Sequence, residues 1–231
     1  MAQYDKKHLR AALLLPLATC LVVIVLHIIR TVLFIPARPF SVLPRSIAFL
    51  PGILTSPFIH GGYGHLFSNI LPLFAGLGVI LLFYRKVAIR SILLIYFITG
   101  GLVWLFAREV FHIGASGVVY GLISFIFWSG VFRRSLKAIM LALIVIMLYS
   151  GMLIGLFPIE EGVSWESHLF GVVAGMIVAY LYRHDKEPDE IKQPYEWETL
   201  EEEKKPFFEE GTFEDSPYYT KDKPNIFDQD Q

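Results

Sequence analysis

The chain is divided into apolar stretches that are each about as long as a bilayer is thick. A helix needs about 20 mostly apolar residues to cross the hydrocarbon core. Six segments meet this need, with polar or charged residues between them, and they cover residues 11–29, 63–84, 87–107, 115–132, 137–157 and 166–183. Because a backbone in lipid must satisfy its own hydrogen bonds, we predict an all-α polytopic membrane protein with a bundle of six transmembrane helices.

Charge separates the chain into two parts. Residues 1–183 contain 14 basic and 5 acidic side chains, whereas residues 184–231 contain 6 basic and 16 acidic ones. The basic residues of the first part stand in short clusters between apolar segments, which favours membrane topology over nucleic-acid binding. We therefore predict a cytoplasmic N-terminus (1–10), a membrane domain (11–183) and an acidic, disordered cytoplasmic tail (184–231).

The basic clusters also predict the orientation of the bundle. Eleven Lys and Arg residues flank the ends of the segments that lie on the side of the N-terminus, and four lie on the other side. By the positive-inside rule, both termini are cytoplasmic. The first connection on the outer side, residues 30–59, is rich in proline and too apolar for a solvated loop, so we expect part of it to lie in the bilayer interface.

A few polar residues lie within or at the ends of the apolar segments, where each needs a physical reason. His27, on the first segment, is expected to be interfacial. The second, fourth and sixth segments run in the same direction, and near their starts they carry His65 and Asn69, Ser116, and His168. These side chains are therefore expected at similar depth, near the outer surface, where they could share one water-accessible pocket.

Helical spacing supports this convergence. His65 and Asn69 are four residues apart and so lie on one helix face, as do Ser116 and Tyr120. His168 shares a face with two glycines, Gly171 and Gly175, which allow close backbone packing of membrane helices. Such packing would bring the serine and the histidine of separate helices within hydrogen-bonding distance.

The residue types suit nucleophilic catalysis. A serine needs a base to take its proton, and neutral histidine can act near pH 7, which assigns these roles to Ser116 and His168. Backbone N–H groups at the start of the helix, with His65 and Asn69, could stabilise an oxyanion. The carboxylates of residues 1–183 all lie in or beside the connections between apolar segments, so the arrangement is a dyad, with Glu166 only a weak candidate for a third member.

Taken singly, each residue has an ordinary structural explanation. Gly114-Ala115-Ser116-Gly117 is typical of a helix N-cap with packing glycines, and a membrane asparagine often links helices. A metal or proton site is a further alternative and would use His60, His65, His112 and His168. It is disfavoured because no membrane carboxylate accompanies them and no His-Glu-x-x-His occurs, so we predict no metal and no other cofactor.

Three motifs resemble those of the rhomboid family of intramembrane serine proteases. They are His60-x4-His65-x3-Asn69 on the second segment, Gly114-Ala115-Ser116-Gly117 on the fourth, and His168-x2-Gly171-x3-Gly175 on the sixth. Tyr120 falls where the family has an aromatic residue packed beside the catalytic histidine. Many members also have a Trp-Arg pair in the first external loop, but residues 30–59 contain no tryptophan, which leaves the anchoring of that loop open.

The resemblance implies a six-helix protease with Ser116 as nucleophile, His168 as general base, and His65, Asn69 and the Ser116 N–H as oxyanion hole. It also implies substrates with a single transmembrane helix, cut near the outer surface, in the inner (plasma) membrane of a bacterium. The alternative is an inactive rhomboid-like protein that binds transmembrane helices without cutting them, against which the intact Ser116 and His168 argue.

Overall fold

The computed structural model describes residues 6–159 and 164–191, and within these residues the fold is helical with no strand. Residues 1–5 of the predicted cytoplasmic N-terminus (1–10) and residues 192–231 of the predicted disordered tail (184–231) lie outside the described part. The α-helices are α1 (Lys6–Val32), α2 (Gly52–Thr55), α3 (Tyr63–Phe83), α4 (Ala88–Phe106), α5 (Ser116–Arg133), α6 (Leu136–Tyr149) and α7 (Trp165–Leu181). Short 3-10 helices lie at Arg38–Phe40, Ile47–Phe49, Ser56–Phe58, Ser150–Leu156 and Pro188–Glu190.

Five helical stretches are long and apolar enough to cross a membrane. They are Lys6–Val32, Tyr63–Phe83, Ala88–Phe106, Ser116–Arg133 and Leu136–Leu156. Helix α7 is equally apolar but has 17 residues, about 25 Å at 1.5 Å per residue, which is short for a span. The helical membrane architecture is therefore confirmed, while the count of six spanning helices stays a prediction.

Helix α5 is the central element of the bundle, and α7 packs closely against it. Twelve of the 18 residues of α5 are buried, including glycine and serine positions that face the neighbouring helices. A side chain at Gly171 would overlap the carbonyl of Gly117, and one at Gly175 would overlap the carbonyl of Gly121. The two backbones are thus in direct contact, which places the start of α7 beside the start of α5.

We call the end of the bundle at which α3, α5 and α7 begin the serine end. The connection from α1 to α3 packs there against α4, since the Nε1 of Trp104 donates to the carbonyl of Ser46 and the N–H of Arg45 donates to the carbonyl of Trp104. The guanidinium of Arg45 also donates to the carbonyl of Ala107 at 2.8 Å. The tryptophan that anchors this connection comes from α4 rather than from the connection itself. Ile47 is 81% exposed, and the interfacial position of this segment stays a prediction.

The opposite end, which we call the basic end, is held by a buried ion pair. The guanidinium of Arg133 donates to the carboxylate of Glu190 at 2.7 Å, and the two side chains are 0% and 1% exposed. The same carboxylate accepts from the hydroxyl of Ser135 at 3.0 Å, and the guanidinium lies 4.8 Å above the ring of Tyr84. Each charge is therefore compensated where water is excluded.

A second acidic residue of the segment that follows α7, Glu187, binds the connection between α3 and α4. The carboxylate of Glu187 accepts from the N–H of Lys86 at 2.8 Å and lies 3.8 Å from Nε of Arg85. Glu187 and Glu190 also form a capping box around Pro188–Glu190. The disordered tail was predicted to begin at residue 184, but Glu187 and Glu190 are buried, because their carboxylates pair with basic residues distant in sequence.

Candidate active site

Ser116 is the first residue of α5, and the loop before it is held by two hydrogen bonds. The N–H of Gly114 donates to the carbonyl of Ser56 at 2.9 Å, and the N–H of Ala115 donates to Nε2 of His60 at 3.4 Å. Gly114 has a φ of +107°, which L side chains rarely adopt. Because Ser116 opens the helix, its own N–H has no acceptor within the helix.

The hydroxyl of Ser116 lies 2.8 Å from Nε2 of His168, the fourth residue of α7. The two residues are 52 positions apart in the sequence and lie on different helices. The contact between the backbones of α5 and α7 makes their hydrogen-bonding distance possible. His168 is 7% exposed, whereas Ser116 is partly exposed. The pair is thus a hydrogen-bonded serine and histidine with one side open to approach.

The other nitrogen of His168 establishes the tautomer of the ring. Nδ1 lies 2.7 Å from the carbonyl oxygen of Gly155, which can only accept a hydrogen bond. Nδ1 therefore carries the proton, and in the neutral ring the Nε2 lone pair faces the hydroxyl of Ser116. A backbone carbonyl occupies the position in which many serine hydrolases have a carboxylate.

Tyr120 packs against one face of the same His168 ring. Its ring stacks on that of His168 with centroids 4.2 Å apart and planes 9° apart. Its hydroxyl donates to the carbonyl of Met152, in the 3-10 helix that follows α6. Gly155 has no room for a side chain, since an added Cβ would overlap the Tyr120 hydroxyl and lie 3.1 Å from Nδ1 of His168.

His65 and Asn69 line the same cavity as the serine and the histidine. This cavity has a volume of about 650 Å³ and is bounded by the start of α3, the start of α5, and the segment after α6. The position that a Cβ would take at Gly114 lies 2.8 Å from Nε2 of His65 and 3.9 Å from Oγ of Ser116. Asn69 is buried, and its Nδ2 donates to the carbonyl of His65 at 2.7 Å, which leaves a second N–H on the amide.

His60 lies behind this cavity, in the connection before α3. It is fully buried, and burial, with the neighbouring His65 and His27, lowers its pKa to about 4. The ring is therefore neutral near pH 7, and its Nε2 can accept the N–H of Ala115. Its ring centroid lies 5.1 Å from that of His65. His60 thus supports both the loop before Ser116, residues 114–115, which we call the serine loop, and the ring of His65.

Glu166 and His112 lie apart from the serine–histidine pair. The carboxylate of Glu166 pairs with Arg108 at 2.8 Å and makes no hydrogen bond to His168, so its candidacy as a third member was wrong. His112 shares a hydrogen bond with the hydroxyl of Ser164 and another with the carbonyl of Arg108. Among the described residues, no group of three or more His, Cys, Asp or Glu side chains could hold a metal ion.

Comparison with known families identifies the family to which the chain belongs. The model of the rhomboid domain matches residues 50–185, which is more than half of the chain and includes Ser116, His168, His65 and Asn69. The chain belongs to the rhomboid family. Together with its apolar helices, this makes it an integral membrane protein, embedded in a lipid bilayer.

Similar proteins occur in mycobacteria. Uncharacterized proteins of Mycobacterium tuberculosis and Mycobacterium bovis are 35% identical over 140 residues, which cover 56% of this chain and 58% of theirs. An uncharacterized protein of Mycobacterium leprae is 31% identical over 140 residues, 56% of this chain and 55% of its own. The rhomboid chain thus spans less than two thirds of the length of these curated relatives, whose names state no activity.

Gly155 is the residue of this rhomboid site that sequence reasoning missed. The fifth apolar segment was predicted as one helix over 137–157, but α6 ends at Tyr149 and a 3-10 helix follows. Ser150, Gly151 and Gly155 interrupt that segment, and glycine and serine favour an α-helix less than the leucines and methionines before them. This was the one available signal that the backbone changes course there.

Proposed function

We propose that this rhomboid is an intramembrane serine endopeptidase that cleaves single-pass transmembrane proteins with a Ser116–His168 dyad. The observation that carries the proposal is the chain of two hydrogen bonds from the hydroxyl of Ser116 through the ring of His168 to the carbonyl of Gly155, at 2.8 and 2.7 Å. It presents an unprotonated ring nitrogen to a serine hydroxyl beside an open cavity.

In the proposed reaction, Oγ of Ser116 attacks the carbonyl carbon of the scissile peptide while its proton moves to Nε2 of His168. The peptide C–N bond then breaks, and the leaving amine takes that proton from His168. A water molecule, deprotonated in turn by His168, attacks the acyl carbon; the ester bond to Oγ then breaks, and Oγ takes the proton back from Nε2 of His168. Nδ1 keeps its proton throughout, because the carbonyl of Gly155 cannot accept it.

The oxyanion of the tetrahedral intermediate needs hydrogen-bond donors. We assign this role to the N–H of Ser116, the ring of His65 and the second amide N–H of Asn69, with His60 and Gly114 supporting the loop. The position of His65 beside the loop and the presence of both side chains in the wall of the cavity support the assignment.

Exposed apolar side chains lie on two elements that bound the cavity, and they support the proposal of a membrane-embedded substrate. On α3, Phe67 and Leu71 are 63% and 69% exposed, and in the segment after α6, Leu153 and Ile154 are both 59% exposed. In a membrane protein such side chains face lipid or another helix. A transmembrane helix could therefore approach between these two elements. We place the enzyme in a bacterial inner membrane, with both of its termini in the cytoplasm.

Labelling with a serine-reactive fluorophosphonate tests the nucleophile. The wild type should be labelled and Ser116→Ala should not, while His168→Ala should react far more slowly because no base activates the serine. Ser68→Ala is the matched control, since Ser68 lines the same cavity and its hydroxyl donates to the carbonyl of His65. Equal labelling of Ser116→Ala and the wild type would refute the assignment.

Cleavage of a model substrate separates the protease from its two alternatives. A protease should cut a single-pass transmembrane substrate and keep its activity in EDTA. Labelling without cleavage across a panel of such substrates would favour the inactive helix-binding protein. Cleavage that survives Ser116→Ala but is lost in EDTA would favour the histidine metal site.

A further inference from the structure

A second cavity lies at the serine end, between the end of α1 and the start of α3. Its volume is about 330 Å³, and its wall includes His27, Arg30, Thr31, Phe34, Gly62 and Tyr63. None of these residues has a part in the proposed reaction. The wall combines a cation and polar groups with apolar side chains, and this combination suits an amphiphilic ligand.

Arg30 is the charged group of this cavity. Its Nη2 donates to the carbonyl of His60 at 2.7 Å and its Nη1 to the carbonyl of Ile35 at 3.4 Å. Its Nε is buried and has no hydrogen-bond partner in the described part of the protein. The two carbonyls fix the guanidinium in place but do not neutralise it, so three of its five N–H groups make no hydrogen bond in the described part of the protein and its charge is not compensated.

The nearby acidic side chains do not supply that anion. At the serine end, the described carboxylates belong to Glu109 and Glu166, and they pair with Arg45 at 3.1 Å and Arg108 at 2.8 Å. The remaining described carboxylates lie in residues 185–190, at the basic end. Within the described residues, Arg30 therefore lacks a carboxylate partner, and a cation that is partly removed from water without one is costly.

His27 supplies a second, independent sign of a ligand. It is 2% exposed, and its Nδ1 is buried with no hydrogen-bond partner among the described atoms. Its ring packs edge-on against Tyr63, with centroids 4.9 Å apart. Buried polar atoms normally have a partner, so His27, which lines the cavity, has hydrogen-bonding capacity left for a ligand.

The surroundings favour a lipid as the source of the anion. Val32 and Leu33, at the end of α1, are both 64% exposed, and Phe34 is 92% exposed in a left-handed conformation with φ of +52°. Acyl chains would cover these side chains, and a headgroup at the same depth would meet Arg30. Arginine binds phosphate through paired N–H groups, more tightly than neutral donors do.

We propose that this cavity binds the phosphate group of a phospholipid, with Arg30 as the cation and His27 as a second polar contact. The site adjoins the serine loop, because the carbonyl that Arg30 holds belongs to His60, and Nε2 of His60 accepts the N–H of Ala115. The binding itself does not depend on the proposed protease activity.

Native mass spectrometry of the full-length protein in detergent tests the proposal. We expect titration with phosphatidylglycerol to add one tightly held molecule per protein, whereas diacylglycerol with the same acyl chains, which lacks phosphate, should not bind. Arg30→Gln should weaken the binding by about tenfold or more, as expected for the loss of a charge-assisted hydrogen bond. Arg38→Gln is the control, because it removes one exposed charge outside the cavity.

A cavity-filling variant keeps the test valid should Arg30→Gln fail to fold. Gly62 has an extended backbone, and a Cβ there would meet nothing within 4 Å, so Gly62→Phe should block the cavity without moving its walls. Gly101→Phe, on α4 and equally open, is its control. Equal phosphatidylglycerol binding by Gly62→Phe and Gly101→Phe, or equal binding of diacylglycerol by the wild type, would overturn the proposal. Competition by millimolar inorganic phosphate would overturn the assignment to a lipid.

Discussion

At the serine end, Ser116 and His168 share a hydrogen bond of 2.8 Å beside a cavity of about 650 Å³, and neither is hydrogen-bonded to a carboxylate among the described residues. At the basic end, Arg133 and Glu190 form a 2.7 Å ion pair that is almost completely buried. The serine and histidine are therefore neutral partners beside an open cavity, whereas the arginine and glutamate are full charges from which water is excluded.

This difference agrees with the role that we propose for each end. An ion pair that never changes its protonation can be buried, provided that every charge is compensated, and it then holds the elements that carry it together. A dyad that takes up and releases a proton has to do so without leaving a permanent charge unpaired in the membrane. We therefore expect substitutions at the serine end to change chemistry and those at the basic end to change stability.

The largest expected effect is on cleavage by the dyad variants. Ser116→Ala and His168→Ala should each reduce cleavage by about 10⁴-fold or more, because either loss removes the same activated nucleophile, and the double variant should be no worse. The free energy of unfolding in mixed micelles should change by no more than about 1 kcal/mol in Ser116→Ala. Substantial cleavage by His168→Ala would exclude this histidine as the base.

The next effect is on stability at the basic end. Glu190→Gln leaves the buried Arg133 without its counter-charge and should lower the free energy of unfolding by about 3–5 kcal/mol. Asp189→Asn is the matched control, since its partner Lys137 lies 2.8 Å away in a more exposed pair that should contribute about 0–1 kcal/mol. The protein that remains folded should cleave at the normal rate. Equal stability of the two variants would show that burial does not distinguish these pairs.

Asn69→Ala tests whether the serine end uses side-chain donors for the oxyanion. Loss of one such donor raises the barrier by about 2.7–4 kcal/mol, or 10²–10³ in rate, and His65 and the N–H of Ser116 could reduce the loss. The melting temperature should change little, because the internal bond from Asn69 to the carbonyl of His65 lies within α3. A large drop in melting temperature would indicate that Asn69 links helices instead.

The smallest expected effect connects the two ends through the contact between α5 and α7. Gly171→Ala places a methyl group against the carbonyl of Gly117, and overpacking of this kind costs about 1–3 kcal/mol. Cleavage should fall as well, since the same displacement separates Ser116 from His168. Gly101→Ala has open space around it and is the control. Unchanged cleavage and melting in Gly171→Ala would show that the helices can separate without loss.

The sequence was informative where the signal is the hydropathy or the spacing of side chains along a single helix. The predicted segments 63–84 and 115–132 differ from α3 and α5 by at most one residue at either end, because hydropathy changes sharply at polar and charged junctions. The approach of Ser116 to His168 followed from the direction of alternate helices and from the glycine spacing. The acidic segment at 187–190 was misjudged, since its partners at residues 85–86 and 133–135 are about 50–100 residues away, and net charge does not indicate pairing.

The acceptor for Nδ1 of His168 could not be predicted, because every residue has a carbonyl group. The same fact limits what genetics can learn about this site. No codon change deletes the carbonyl of Gly155, so a complete mutational scan could test the proposed dyad of Ser116 and His168 but would overlook the group that orients the ring of His168. A loss of function at Gly155 would report crowding of the Tyr120 hydroxyl by the new side chain. Only a backbone edit, such as an ester in place of the amide between Gly155 and Leu156, would weaken the acceptor itself and reveal its contribution.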